Sequence, residues 1–121
     1  GNEGALVLSG YTGNLNLTLA ASSLLKTNTA GTAATTLTGG TGADYLVAGN
    51  LGDTLVGGAG NDKLTGGTGA DEFQVTGDLL AGLDTIDGGA GVDSIRITAI
   101  PTTAIASGDF ANITNVEKLV L

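Results

Sequence analysis

Large apolar residues stand at Leu46, Leu55, Leu64 and Phe73, nine positions apart, and each is preceded two positions earlier by an aspartate, at Asp44, Asp53, Asp62 and Asp71. They belong to one phrase written four times: GGTGADYLV, AGNLGDTLV, GGAGNDKLT and GGTGADEFQ. A period that fixes both an apolar and an acidic position marks a structural unit. The last three residues of each phrase alternate outward, inward, outward, the pattern of a short strand with one buried face. The six before them are rich in glycine, which permits the positive φ angles of a tight reversal. Two phrases then complete one coil of 18 residues, and coils stack at the strand spacing of about 4.8 Å. The pattern predicts an all-β fold, a parallel β-roll or β-solenoid with two short strands per turn, capped by flanking β-strands.

The phrase extends beyond its four clear copies. AGTAATTLT, just upstream, fits the frame with Leu37 in the apolar place and Thr35 in that of the aspartate, a worn unit suited to capping an array. Downstream, Gly82-Leu83-Asp84-Thr85-Ile86 restores the second half of a phrase after a four-residue insertion, and GGAGVDSIR adds Asp93 and Ile95. Ala5-Leu6-Val7-Leu8 and the alternation Leu15-Asn16-Leu17-Thr18-Leu19 read as strands between glycine turns. After the strand-like Ile95-Arg96-Ile97-Thr98, Pro101 marks a turn, and FANITNVEKLVL closes the chain with a turn and a strand over the open end of the stack. We expect one continuous domain in three parts: residues 1–38 as strands and a capping repeat, 39–96 as the roll with an insertion near 75–81, and 97–121 as the C-terminal cap.

Alternate phrases share an edge, so Asp44, Asp62 and Asp84 line one side and Asp53, Asp71 and Asp93 the other. Carboxylates stacked about 5 Å apart repel by on the order of 1–3 kcal/mol per pair. A calcium ion between coils offsets this, because it takes six to eight oxygens and glycine turns expose carbonyls to complete the set.

Composition sharpens this reading. Twelve acidic residues against Lys26, Lys63, Arg96 and Lys118 give a net charge of −8, which repels phosphate backbones and anionic lipid and excludes nucleic acid as a partner. There is no cysteine and no histidine, so disulfides, thiolate sites and the usual zinc ligand and general base are absent. GTGADY and GAGNDK lack the third glycine of a dinucleotide loop, and Lys63 follows an aspartate rather than a P-loop glycine. The serines have no histidine partner, and the acids recur as an array rather than as one asymmetric pair. We therefore expect no enzyme. No apolar run is long enough to span a membrane, and a chain without an initiator methionine reads as an internal segment.

The phrase G-G-x-G-x-D-x-U-x, with U a large apolar residue, resembles the repeats-in-toxin nonapeptide of secreted bacterial toxins, proteases, lipases and surface-layer proteins, a calcium-binding β-roll repeat. The resemblance implies about three to four calcium ions, each held between alternate repeats by aspartates and turn carbonyls. One site would use Gly40, Gly42, Asp44, Gly57, Ala59 and Asp62, and a second Gly49, Leu51, Asp53, Gly66, Thr68 and Asp71. A third would use Gly67, Gly69, Asp71, Gly88, Ala90 and Asp93, and a fourth Gly58, Gly60, Asp62 and Asp84. Two departures stand out: Ala48 and Leu51 occupy glycine places in the second repeat, and Leu79-Leu80-Ala81 replaces the glycines before Asp84. Asp78 and Asp87 fall off the frame and read first as residues that solvate or brace a turn; of the two, only Asp87 could also add a ligand.

The threonine- and alanine-rich flanks and the closing NVEKLVL look most like the surface-layer and large-adhesin members. That implies an extracellular structural segment, exported by type I secretion, whose partners are calcium and copies of itself in a lattice, with no membrane insertion. The alternative is the folding and secretion module of a toxin, protease or lipase.

Overall fold

The computed structural model of the chain describes residues 5–7, 15–18, 24–26, 34–41, 43–75, 84–99 and 110–121. Twelve strands among them form two six-stranded sheets, parallel throughout. The first holds β1 (Ala5–Val7), β3 (Leu24–Lys26), β5 (Tyr45–Val47), β7 (Lys63–Thr65), β9 (Thr85–Asp87) and β11 (Ile113–Thr114), in that order. The second holds β2 (Leu15–Thr18), β4 (Thr35–Thr41), β6 (Thr54–Ala59), β8 (Glu72–Val75), β10 (Ser94–Ile97) and β12 (Lys118–Val120). Consecutive strands alternate between sheets, so the chain winds as a roll, with two strands per coil.

The nine-residue period sets the register. In the first sheet Leu46 pairs with Leu64, and Leu64 with Ile86; in the second Leu37 pairs with Leu55, Leu55 with Phe73 and Phe73 with Ile95. These seven residues are all buried and form one cluster between the sheets, joined by Ala48, Val75 and Ile97. Tyr45, Leu46 and Val47 show the alternation residue by residue: exposed, buried, half-buried. Leucine, isoleucine and one phenylalanine stacked in register on two facing sheets give a narrow core, which suits a chain with only two phenylalanines and no tryptophan.

The flanks do more than close the ends. Leu17 pairs with Leu37, Leu25 with Leu46, Ile86 with Ile113 and Ile95 with Leu119, so β1–β3 and β11–β12 continue the ladders of the repeats. Phe110, Ile113 and Val116 are partly buried against the core. Leu119 remains 46% exposed because β12 is the outermost strand of its sheet, and Leu121, just past that strand, is 84% exposed. Strand pairing also runs further than three residues where glycine permits: Gly40 pairs with Gly58 and Thr41 with Ala59, inside the reversal.

Candidate metal centre

All six aspartates of the frame are buried, none more than 6% exposed. On one edge the Asp44 amide donates to Asp62 Oδ1 (2.9 Å) and the Asp62 amide to Asp84 Oδ1 (2.7 Å). On the other the Asp53 amide donates to Asp71 Oδ1 (2.7 Å) and the Asp71 amide to Asp93 Oδ1 (2.8 Å). Each carboxylate thus ties its own coil to the one before it. These bonds place Asp44, Asp62 and Asp84 on one edge and Asp53, Asp71 and Asp93 on the other.

The second oxygen is the chemically unsatisfied one. The Oδ2 atoms of Asp62, Asp71 and Asp93 are buried with no hydrogen-bond partner, a costly condition for a group that carries charge. Their surroundings show what they are aimed at. A Cβ on Gly66 would collide with both Asp71 Oδ2 and the Gly88 carbonyl oxygen, and one on Gly39 with both Asp44 Oδ2 and the Gly57 carbonyl oxygen. Glycine at the first place of the phrase therefore lets a carboxylate oxygen and a carbonyl oxygen of the next coil on that edge converge. A buried carboxylate oxygen without a donor, set beside a carbonyl oxygen, has the chemistry to meet a hard cation such as calcium.

Burial dominates the protonation of Asp62, Asp71 and Asp84. It pushes the Asp71 carboxyl up to about 7, with the charges of Asp53 and Asp93 adding to the rise and the Asp53 amide opposing it. Asp84 is pushed up to about 6 and Asp62 upward, both by burial, with a backbone hydrogen bond opposing in each case. A bound cation reverses this preference by favouring the charged form.

The sequence-derived ligands are brought together unevenly. Between the coils of Asp71 and Asp93, the Gly67 carbonyl accepts from the Ala90 amide and the Ala90 carbonyl from the Gly69 amide, both at 2.9 Å, so both carbonyls face the gap. The Gly49 carbonyl likewise accepts from the Thr68 amide, and Leu51 stacks directly on Gly69. Gly58, Gly60, Gly67 and Gly69 take positive φ, from 98° to 129°, as a carbonyl-exposing reversal requires. Gly42, Asp78 and Leu79-Leu80-Ala81 lie outside the described residues. Among the described residues no three acidic side chains cluster around one point, so backbone carbonyls are indispensable to any site here.

Asp53 differs from its neighbours. Its Oδ2 accepts the Gly49 amide (2.9 Å), and its Oδ1 accepts both the amide (2.7 Å) and the hydroxyl (3.0 Å) of Thr35. Its unit carries Ala48 where glycine stands elsewhere, and the protein itself satisfies its carboxylate. Asp87, the extra candidate, accepts from the Gly89 amide (3.1 Å) and from Asn115 Nδ2 (2.8 Å) and braces a turn. A further off-frame acid joins the ladder: Glu117 Oε2 accepts the Asp93 amide (2.8 Å), as Asp62, Asp71, Asp84 and Asp93 accept the amides of Asp44, Asp53, Asp62 and Asp71. Its signal in the sequence is Glu117-Lys118-Leu119, an acid two places before a large apolar residue.

Residues 29–50, 47–74 and 80–96, together more than half of the chain, match the family model of the RTX calcium-binding nonapeptide repeat. The chain belongs to this family. The match begins at residue 29 and so takes in the worn phrase that carries Thr35. No curated protein and no solved structure matches the chain. RTX repeats bind calcium, and the donors of this roll fit that ion: buried carboxylate oxygens without partners, opposite carbonyls that only glycine allows so close.

Proposed function

We propose that this RTX roll holds calcium between alternate coils, at Asp44/Asp62 and Asp62/Asp84 on one edge and at Asp53/Asp71 and Asp71/Asp93 on the other. The turn carbonyls of Gly40, Gly42, Gly57 and Ala59, of Gly49, Leu51, Gly66 and Thr68, of Gly67, Gly69, Gly88 and Ala90, and of Gly58 and Gly60 complete the sets, for three to four ions. The observation that carries this is that the Oδ2 atoms of Asp62, Asp71 and Asp93, at least one of which belongs to every pair, are buried without a donor. Ion binding contributes to folding directly, since the unfolded chain has no preformed site. Extracellular calcium modules bind at about 10⁻⁴–10⁻³ M, so the segment is loose at cytosolic calcium and ordered after export.

The role is structural rather than enzymatic, in a secreted surface-layer protein whose copies assemble outside the cell. The composition of the flanks supports this over a toxin or hydrolase module. Circular dichroism with calorimetric calcium titration is the test: folding and several bound ions are expected at millimolar calcium. A chain equally folded in chelator, with no ion bound, would refute the metal reading. A catalytic domain elsewhere in the parent protein would sink the surface-layer reading and leave the calcium sites standing.

A further inference from the structure

The C-terminal cap repeats the geometry of a metal half-site without its sequence. We propose that Asn115-Val116-Glu117 replaces the six-residue turn of a repeat and closes a terminal calcium site with Asp93, an inference that rests on calcium binding by the repeats. Three observations carry it.

Asp93 is fully buried, and its Oδ2 has no partner. That oxygen and the Asn115 carbonyl oxygen both fall where a Cβ of Gly88 would sit. The same convergence joins Asp44 Oδ2 to the Gly57 carbonyl at Gly39, and Asp71 Oδ2 to the Gly88 carbonyl at Gly66. Asn115 therefore stands in the place of the first glycine of a next repeat. Its φ of 54° lies in the left-handed region, which asparagine tolerates better than most residues, and its side chain is anchored on Asp87.

Glu117 supplies the acid. It takes the Asp93 amide as each aspartate takes the amide of the preceding rung, and Ser94 pairs with Lys118 immediately after it. Only Val116 separates Asn115 from Glu117, where four residues separate Gly88 from Asp93. The longer glutamate side chain offsets the shortened turn, reaching the rung from a backbone that has cut the corner. The donor set is thus Asp93 Oδ2, the Asn115 carbonyl and the Glu117 carboxylate, completed by carbonyls of the Gly89–Gly91 turn and by water at the exposed end.

A role for Glu117 as a hydrogen-bonding cap alone is separable from this one. Glu117→Gln keeps an oxygen for the Asp93 amide but removes the charge a cation needs. In calorimetric titration of the whole chain, with metal counted at saturation, Glu117→Gln should bind one calcium fewer than wild type, with slowed exchange of the Asp93 amide retained. Asp93→Asn should lose two. An unchanged ion count in Glu117→Gln overturns the proposal while leaving the repeat sites intact, and a wild type that binds no calcium overturns both. A crystal structure of the wild-type chain at saturating calcium decides the matter even if the variants misfold. An ion bound to the Glu117 carboxylate and the Asn115 carbonyl confirms the site; ions in the repeats with none at Glu117 refute it.

Discussion

At the scale of the residue, the aspartates share a sequence position but not an environment. Asp71 Oδ2 is buried without a donor and converges with the Gly88 carbonyl oxygen on the space a Cβ of Gly66 would fill, whereas Asp53 Oδ2 holds the Gly49 amide. Replacement by asparagine separates the two cases. Asp71→Asn keeps an oxygen for the Asp53 amide and points an N–H into the space shared with the Gly88 carbonyl, where a hydrogen bond is worth about 1 kcal/mol net. The calcium-free variant should melt at a higher temperature than wild type and bind calcium more weakly. Asp53→Asn should do the reverse to stability. A single amide oxygen cannot serve both Thr35 and Gly49, and a buried donor left unsatisfied costs about 1–3 kcal/mol. Thermal melts of both variants in chelator check the signs, and equal shifts would argue against the distinction.

At the scale of the element, each strand is too short to stand alone and is held by its place in a ladder. Phe73 on β8, the largest fully buried side chain among the described residues, is paired between Leu55 on β6 and Ile95 on β10. Phe73→Ala should cost about 3–5 kcal/mol, read from denaturant unfolding at saturating calcium. Along an edge the rungs are unequal, because a middle carboxylate serves two gaps. Asp62→Ala should weaken two calcium sites and Asp44→Ala one, and equal losses in calorimetry would argue against the edge assignment. This much of the roll was legible from spacing alone, since a period of nine fixes strand, turn and core together. What escaped that reading lay where the period fails. Leu17 and Leu25 pair in the ladder although no clear repeat phrase spans them, so their register is set by the coils beside them. Glu117 escaped because a shortened turn moved it off the frame, and the protection of Asp53 because a hydrogen bond from Gly49 leaves no trace in residue order.

At the scale of the molecule, the roll is a stack of buried acids whose protonation is linked to its folding. Folded Asp71 and Asp84 titrate at about 7 and about 6, and Asp62 is also raised, whereas an unfolded aspartate titrates near pH 3.9. Between roughly pH 4 and pH 7 the folded chain therefore binds more protons than the unfolded one, and without calcium its stability falls as pH rises through that window. Below pH 4 both states are protonated, and acidification gives no further gain. Calcium reverses the slope, because it requires the carboxylates charged and displaces their protons. In chelator the melting temperature should fall from pH 4 to pH 7 and then level off; at saturating calcium it should rise over the same range. Titration at pH 6 in buffers of differing ionisation enthalpy should show protons released on calcium binding, and at pH 8 almost none. A chelated chain that gains stability from pH 4 to pH 7 would mean that solvent or backbone donors already satisfy the buried oxygens, and the electrostatic case for the ion would fail with them.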